Sequence, residues 1–211
     1  GDHSGGSSGG SSGGYGGSSG WAGGGSAPVV EQEKNPVVVK LHYIIQFDIN
    51  GGTNLSRRTM TLLKDDAPGI MPKVQRKDYL FDGWYTHKEG GTKVTGDQPL
   101  AEAATLYARW TKAQAPGKTA SLTLKSAKKG QIQAVFQSVK DAAGYQVDYS
   151  TSKKFTSKKT KEAGAAAKAK TLTGLKAGKK YYVRVRAYRV DSMGNRIYGV
   201  YSAVKNVTVK S

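Results

Sequence analysis

The sequence contains no cysteine among its 211 residues. This absence excludes a disulfide framework, a thiolate metal site and a cysteine nucleophile. Histidine is also scarce, since only His3, His42 and His87 occur, and none has a His or Cys neighbour at metal-ligand spacing. We therefore predict no metal site, no cofactor and no catalytic residue.

Long apolar segments are missing as well. No apolar run approaches the roughly 18 residues of a membrane-spanning helix, so we expect no membrane insertion. The N-terminus is a Gly/Ser tract and lacks the basic and then apolar pattern of a signal peptide. Because residue 1 is Gly rather than an initiator Met, we expect a piece of a longer protein, with any signal, anchor or catalytic domain outside it.

Acidic residues are rare in the second half of the chain. Residues 1–112 contain 12 Lys/Arg and 11 Asp/Glu, whereas residues 113–211 contain 21 Lys/Arg and only 4 Asp/Glu. The net charge of +18 therefore belongs almost entirely to the second half. Such asymmetry indicates attraction to polyanions in general, and by itself it does not choose among nucleic acid, anionic glycan, wall polymer and anionic lipid.

The composition changes along the chain divide it into four parts. Residues 1–36 begin with an almost pure Gly/Ser tract and continue as a short polar bridge, and we predict a flexible tether there. Residues 37–112 form the first predicted domain, residues 113–117 (AQAPG) a linker, and residues 118–211 the second predicted domain. The proline of this short linker favours a restricted angle between the two domains.

The first domain carries short β-strand patterns separated by turn signals. Val37–Asp48 is rich in β-branched and aromatic residues and predicts a strand, and Asn50-Gly51-Gly52 predicts the turn of a hairpin. The other strands are predicted at Thr59–Leu63, at Tyr79–Thr86 with a bulge or bend at Gly83, and at Leu106–Trp110. Prolines limit any helix between residues 65 and 76 to a short one.

The second domain shows recurrent short strands in about 95 residues, a spacing typical of an antiparallel sandwich. They are predicted at Leu122–Leu124, Ile132–Phe136, Tyr145–Tyr149, Lys168–Leu172, Tyr181–Arg189 and Val200–Val209. In the segment YYVRVRAYR, side chains alternate between the two faces of the strand. We expect the core face to carry Tyr181, Val183, Val185 and Ala187, and the solvent face Tyr182, Arg184, Arg186 and Tyr188.

Four blocks in the first domain carry a family resemblance. They are Phe47-Asp48-x-Asn50-Gly51-Gly52, Tyr79-x-Phe81-Asp82-Gly83-Trp84-Tyr85, Gly90-Gly91-Thr92-Lys93-Val94 and Leu106-Tyr107-Ala108-Arg109-Trp110. With these blocks, residues 43–112 resemble the Listeria–Bacteroides repeat, the family that includes the internalin B-repeats. The resemblance implies a compact β-grasp-like α+β module, often in tandem, of secreted or surface proteins of bacteria.

A second resemblance lies in Leu175-x-Ala177-Gly178-x-x-Tyr181-x-Val183-x-Val185-x-Ala187. Residues 116–211 are similar to bacterial fibronectin type III domains, in which Tyr181 would be the tyrosine-corner residue and Phe136 would occupy the usual place of a core tryptophan. The resemblance implies an immunoglobulin-like antiparallel β-sandwich. The predicted fold class is thus mainly β, and fold alone indicates no function.

The stretch YLFDGWYTHKEGGTKV (79–94) places several aromatic rings beside an acid and a histidine. It could be a ligand pocket or the core of a small domain. We favour the core, because a domain of this size without disulfide or metal depends on large aromatic side chains for burial. The predicted structural residues of both domains are Tyr79, Phe81, Trp84, Trp110, Phe136 and Tyr181.

The basic residues of the second domain allow two interpretations. Lysines in loops and turns, such as Lys128-Lys129, Lys153-Lys154 and Lys179-Lys180, fit a solvated surface that discourages edge pairing. The stripe of Tyr182, Arg184, Arg186 and Tyr188 fits a low-affinity site for an anionic ligand, because arginine binds anions bidentately and tyrosine stacks on sugars.

These observations predict a non-catalytic segment of a secreted or cell-wall-associated bacterial surface protein, acting as a stalk or adhesion module. Its expected partners are an anionic glycan, a wall polymer or a host surface protein; no recognition motif supports nucleic acid. We expect an extracellular location and a monomer. The alternative is a pair of accessory modules that hold a larger extracellular glycan hydrolase or peptidase near its substrate.

Overall fold

The computed structural model describes residue 37 and residues 39–211, and the predicted tether of residues 1–36 lies outside this range. Every regular element within the described residues is a β-strand, which confirms the mainly β class. The helix that an α+β module implies is absent from the described chain, because residues 64–78 form turns and extended segments. None of the described residues forms a helix that could cross a bilayer.

The first domain is built on one mixed sheet with the strand order β2-β1-β5-β3-β4. Its strands are β1 (His42–Asp48), β2 (Thr59–Leu63), β3 (Tyr79–Tyr85), β4 (Lys93–Val94) and β5 (Ala104–Lys112). The first and last strands, β1 and β5, lie parallel in the centre of the sheet, and the other pairs are antiparallel. This arrangement is the expected β-grasp-like sheet.

The first strand begins later than its composition predicts. β1 begins at His42 rather than Val37, because within the described residues Val37 and Val39 pair with no strand and remain 75–87% exposed. Asn50 and Gly51 do form a turn, with positive φ of 44° and 82°. The connection between β1 and β2 nevertheless continues to residue 58, so it is longer than the tight hairpin that the sequence predicted.

A bulge interrupts β3 where the sequence predicted one. The pairing of β3 with β5 shifts register between Phe81 and Gly83, and Gly83 has a φ of 131°, which a side chain would strain. The bulge lets Phe81 and Trp84, three residues apart, both reach the core side of the sheet.

Trp84 lies at the centre of the first hydrophobic core. It is only 2% exposed, its ring centroid is 4.8 Å from that of Phe47 and 5.6 Å from that of Phe81, and its indole N–H donates to the Pro72 carbonyl at 3.0 Å. Trp110 packs against this core from a half-buried position and donates to the Ile49 carbonyl. The buried members are Ile45, Phe47, Met60, Leu62, Val74, Trp84, Val94, Leu106 and Ala108.

Tyr79 does not belong to this core, although the sequence grouped it with the core aromatics. Its ring is half-buried beneath the Arg76 guanidinium, with 3.8 Å between Cζ and the ring centroid. It opens β3 at the border with the second domain, whose Ser192 amide donates to the Tyr79 carbonyl. Tyr79 therefore lies at the border between the two domains rather than in the first core.

The second domain is a sandwich of two antiparallel sheets. One sheet has the order β10-β7-β6 and the other β12-β11-β8-β9, with β13 also paired to β11. The strands are β6 (Thr123–Lys125), β7 (Ile132–Val135), β8 (Gly144–Ser150), β9 (Lys159–Gly164), β10 (Ala169–Leu172), β11 (Lys180–Val190), β12 (Arg196–Tyr198) and β13 (Lys205–Thr208).

The core of the sandwich lies between the two sheets. Phe136 is 3% exposed and packs on Tyr145 with 4.8 Å between ring centroids. Tyr181 is buried as well, and its hydroxyl oxygen accepts a hydrogen bond from the Lys176 amide at 3.2 Å. This bond back to a residue shortly upstream is the tyrosine-corner contact of such sandwiches.

Two strands of the sandwich were not predicted, and one was predicted too long. β9 (KTKEAG) is polar and buries only Ala163, so it lacks the hydrophobic alternation that marks a strand. The last predicted strand, Val200–Val209, forms only over Lys205–Thr208, whereas the separate short strand β12 (Arg196–Tyr198) pairs with the end of β11.

The two domains meet at a hydrogen-bonded junction. Asp191 and Ser192, in the turn between β11 and β12, contact residues 76–79 of the first domain. The Asp191 carboxylate accepts from the Asp78 amide at 2.9 Å, and the Ser192 hydroxyl accepts from the Arg76 amide and donates to the Arg76 carbonyl, both at 2.8 Å. Four direct bonds, including the one to Tyr79, therefore join these two loops.

The linker is held by the same end of β11. Arg189 donates to the Gln114 carbonyl of the linker and to the Asp141 carboxylate of the β7–β8 loop. Gly199 lies directly beside Pro116, such that a Cβ on Gly199 would come within 2.5 Å of the Pro116 carbonyl oxygen. These contacts place Gln114 and Pro116 of the linker against the second domain.

Candidate functional site: the arginine–tyrosine face

The predicted stripe of β11 lies on the outer face of the larger sheet. Tyr181, Val183, Val185 and Ala187 are buried in the core, and the alternate residues are half-buried on the opposite side. The outer face brings the stripe together with residues of neighbouring strands. We call this set the arginine–tyrosine face: Tyr182, Arg184, Arg186, Tyr188, Arg196, Tyr198 and Tyr201.

Arg184 is engaged by a buried carboxylate that the sequence analysis missed. Its Nη2 lies 3.2 Å from Oδ2 of Asp148, whose side chain is 0% exposed. The guanidinium is also stacked between two rings, with its Cζ 3.9 Å from the Tyr201 centroid and 4.2 Å from that of Phe155. Arg184 is therefore already paired and stacked within the domain.

Asp148 is the polar centre of the face. Its two oxygens accept hydrogen bonds at 2.7–3.2 Å from the five side chains of Gln146, Lys158, Thr160, Arg184 and Tyr201. Burial by itself would raise the pKa of Asp148, but the hydrogen bonds outweigh it and hold this pKa well below the ordinary value. Asp148 is consequently ionised, and it fixes the positions of its donors.

Tyr201 connects Asp148 to the arginines. Its hydroxyl donates to Asp148 Oδ2 at 2.7 Å. Burial and the hydrogen bond to the ionised Asp148 raise the pKa of Tyr201 to about 12, so the phenol remains a donor. Its ring lies against both Arg184 and Arg186.

Within residues 39–211, the hydrogen-bonding and stacking partners of Arg186 are neutral groups. Its Nε and Nη2 donate to the Gln146 side-chain oxygen at 3.1 and 2.8 Å, and its guanidinium Cζ lies 3.7 Å from the Tyr198 ring centroid and 4.5 Å from that of Tyr201. Since no carboxylate of residues 39–211 is paired with it, Arg186 keeps its positive charge uncompensated. It is the member of the predicted stripe best suited to an external anion.

Arg196 and Glu162 form a further ion pair on this face. Two guanidinium nitrogens of Arg196 donate to the two Glu162 carboxylate oxygens, and Cζ lies 4.4 Å from the Tyr188 ring centroid. The hydrogen bonds from Arg196 lower the pKa of Glu162. Gly144 makes room for the stacked ring, since a Cβ there would come within 2.5 Å of the Tyr188 hydroxyl.

The residues of the face that the sequence analysis did not predict share one feature, which is their position on β8. Gln146, Asp148 and Ser150 alternate along β8 on the same face as the arginines, opposite Arg186, Arg184 and Tyr182 respectively. The alternation of polar residues along β8 is visible in the sequence. Which residues they contact depends on the strand register, which brings Asp148 directly beside Arg184.

The stretch 79–94 of the first domain does not converge into a second site. Trp84 points into the core, Asp82 accepts from Thr111, and His87 contacts its neighbour Thr86. No group of His, Asp or Glu side chains suited to a metal ion occurs within the described part of the chain.

A protein-family model matches the first domain. Residues 43–109 match the model of the Listeria-Bacteroides repeat domain, so this part of the chain is a repeat domain of that kind. No curated protein matches the chain.

Several solved structures are similar to part of the chain. A fibronectin type III-like protein from Clostridium thermocellum is 22% identical and matches 46% of this chain and 97% of its own length, with a TM-score of 0.38. The fifth fibronectin domain of Drosophila Lar is 18% identical over 46% of this chain and 98% of its own, with a TM-score of 0.37. The sixth such domain of human fibronectin type III domain containing protein 3 is 19% identical over 48% and 92%, also with a TM-score of 0.37.

The architecture of the second domain is by itself that of a fibronectin type III-like sandwich. Its two antiparallel sheets, the buried Phe136 and the tyrosine corner at Tyr181 define the class. The described chain is thus a repeat domain followed by a fibronectin type III-like domain.

Proposed function

We propose that residues 37–211 are a non-catalytic spacer in a secreted or wall-associated bacterial surface protein, in which the two domains are held at a fixed angle. The observation that carries this proposal is the hydrogen-bonded junction between residues 76–79 and the Asp191-Ser192 turn. Repeat and fibronectin-type modules in one chain are consistent with such an extracellular role.

The chemistry of the junction favours a rigid connection. Asp191 is 4% exposed, and besides the Asp78 amide its carboxylate accepts from the amides of Met193 and Asn195. The turn that contacts the first domain is therefore organised by the same carboxylate that makes the contact. Burial alone would raise the pKa of Asp191, but the hydrogen bonds from Asp78 and Asn195 lower it, so the carboxylate stays charged at neutral pH.

The spacer proposal is tested by measuring whether the domains tumble together. Backbone ¹⁵N relaxation should give one rotational correlation time for both domains of the wild type. The double variant Asp191→Ala/Ser192→Ala should give two shorter times, because it removes the side-chain bonds of the junction. Met193→Ala is the matched control, since this side chain of the same turn is 41% exposed. Separate correlation times in the wild type would contradict the proposal.

The alternative role is that of accessory modules of a larger extracellular glycan hydrolase or peptidase. Both roles are compatible with a rigid pair of domains. A catalytic domain elsewhere in the open reading frame would favour the accessory role, whereas further repeats and a wall-sorting signal would favour the spacer.

A second function, weak binding of an anionic glycan or wall polymer, is favoured by the uncompensated charge of Arg186. A sulfate, phosphate or carboxylate could replace part of its bond to Gln146 while a sugar ring packs on the neighbouring tyrosines. Arg184, by contrast, would have to give up its ion pair with Asp148.

This second function predicts different effects for the two arginines of β11. Arg186→Gln should lower the affinity for a heparin-derived oligosaccharide without loss of stability. Arg184→Gln should lower stability, because it leaves the buried Asp148 with one donor fewer. Affinity unchanged by Arg186→Gln, in a titration at low salt, would exclude the face as the binding site.

A further inference from the structure

The topology of the sandwich gathers its lysine-rich loops at one end. The loops 126–131, 151–158 and 173–179 meet the C-terminal residues 209–211 at the end of the domain that is remote from the junction. The Leu175 amide donates to the Gly130 carbonyl at 3.0 Å, the Lys210 amide donates to the Ser126 hydroxyl at 2.9 Å, and Tyr182 at the start of β11 pairs with Ser150 at the end of β8. We call this end the distal end.

The charged side chains of the distal end are all positive. Eleven lysines lie in these loops or at the strand ends that border them: Lys125, Lys128, Lys129, Lys153, Lys154, Lys158, Lys159, Lys176, Lys179, Lys180 and Lys210. None of the four acidic residues of the domain lies in these loops. Asp141 and Asp191 are at the junction end, and Asp148 and Glu162 are paired on the arginine–tyrosine face.

The distal lysines are exposed and mostly uncompensated. All eleven are exposed to solvent. Among residues 39–211, Lys158 is the member of the group that forms an ion pair, with Asp148. Because the others have no acidic neighbour in the described chain, their fields add up to a concentrated positive potential at this end.

Two recesses lie between the distal loops. One, of about 300 Å³, is lined by Lys159 and Lys176 and by the rings of Tyr149 and Tyr181. The other, of about 210 Å³, is lined by Lys125, Lys128 and Gln131 among others. Each recess combines two cations with neutral hydrogen-bonding groups and has room for a single sugar or acidic group rather than a large ligand.

We infer that the distal end binds a linear polyanion that carries sulfate or phosphate groups on a sugar or polyol backbone. Lysine acts as a flexible point charge, so a cluster of lysines recognises charge density rather than one fixed geometry. The several loops present these charges over a broad surface, as an extended polymer requires, and the recesses accept individual units of that polymer.

The same surface disfavours two other polyanions. Nucleic acid single strands bind by stacking on exposed aromatic rings, but Phe155 of the distal loops and the recess residues Tyr149 and Tyr181 are each at most 9% exposed. Membrane surfaces are bound through apolar side chains that enter the lipid together with basic residues. None of the large exposed apolar side chains of residues 39–211 lies in the distal loops.

Polyanion binding at the distal end is a function additional to the spacer role. It rests on that role in one respect, which is that a spacer would expose this end to its surroundings. It also differs from the second proposed function, because the distal lysines are separate from Arg186. A polymer that binds the distal end would leave the relaxation behaviour of the junction unchanged, so the two proposals fail in different experiments.

The test compares two variants that remove the same charge from different places. The distal variant is Lys128→Gln/Lys129→Gln/Lys179→Gln/Lys180→Gln, and the control is Lys118→Gln/Lys140→Gln/Lys168→Gln/Lys205→Gln. All eight lysines are exposed. Binding is titrated with a heparin-derived dodecasaccharide and with a glycerol phosphate oligomer, each at several salt concentrations, with Arg186→Gln as an additional arm.

We expect the distal variant to lose at least tenfold in affinity at low salt and to show a shallower dependence of log K on log salt, because fewer counterions are released. The control should change less than about threefold by the same reasoning. Binding of one probe but not the other would identify the acidic group and still support the inference. Equal losses in both variants, loss in Arg186→Gln alone, no binding of either probe, or preference for duplex DNA or phosphatidylglycerol vesicles would overturn it.

Discussion

At the scale of single residues, Asp148 determines how the arginine–tyrosine face works. A buried carboxylate is costly unless its oxygens are fully hydrogen-bonded, and here five side chains supply those bonds. The arginine that looked most available in the sequence, Arg184, is one of the five donors. The positive charge that is available to a ligand therefore lies on Arg186 and, outside this face, on the distal lysines.

Replacement of Asp148 should lower stability in a pH-dependent way. The D148N variant removes the charge and turns an amide N–H₂ towards donors, so we expect a loss of about 3–5 kcal/mol in the free energy of unfolding at pH 7. The folded-state pKa of Asp148 lies below its ordinary value of 3.8. Its contribution is therefore fully present above pH 4 and is lost as the pH falls further.

Urea unfolding at pH 7, 5 and 3 measures this difference. The gap between wild type and D148N should be constant from pH 7 to 5 and should narrow at pH 3. Glu162→Gln is the control, because this carboxylate is exposed and its removal should change little. A gap that widens at pH 3 would contradict the assigned direction of the pKa shift.

Trp84 is the residue on which the first domain depends most. Truncation of a fully buried tryptophan costs about 3–5 kcal/mol, which is comparable with the whole stability of a small domain. We expect Trp84→Ala to unfold the first domain and leave the second folded. Amide NMR spectra during thermal melting would show this, with Ile44→Ala, 55% exposed in the same sheet, as the control. Retained cooperative melting of the first domain would refute it.

At the scale of strands and loops, the hydrophobic pattern determined what could be predicted. β2 was predicted with its observed ends and β11 within one residue, because alternation and β-branched composition mark them clearly. β9 escaped prediction, since it is held by backbone pairing to β8 and not by a buried face. The extension of β1 to Val37 failed because composition indicates a strand but does not supply its partner.

The position of the linker depends on a close approach that no sequence pattern reveals. Gly199→Ala should displace the linker, because its Cβ would come within 2.5 Å of the Pro116 carbonyl oxygen, which is backbone and cannot turn away. We expect a loss of about 1–3 kcal/mol and greater mobility between the domains in ¹⁵N relaxation. Gly164→Ala, where a Cβ would meet nothing within 4 Å, should leave both properties unchanged. Equal behaviour of the two variants would show that Gly199 does not position the linker.

At the scale of the whole molecule, the sequence showed how much charge the second domain carries but not where it lies. The lysine pairs 128–129, 153–154 and 179–180 are 24 and 25 residues apart along the chain, and each pair alone fits an ordinary solvated turn. Only the strand order brings these turns to one end of the sandwich. Only the β11 residues of the candidate face could be predicted from the sequence. The residues of β8 that they contact, and Tyr201 after β12, are determined by the pairing of the strands.

The parallel pairing of β1 and β5 has a consequence for a protein that is pulled. The chain enters the first domain through β1 and leaves through β5, and the two strands are neighbours that run in the same direction. Tension applied through the two ends therefore slides one strand along the other and loads their shared hydrogen bonds simultaneously, rather than opening them one after another. A domain connected in this way resists extension until the whole strand pair yields at once.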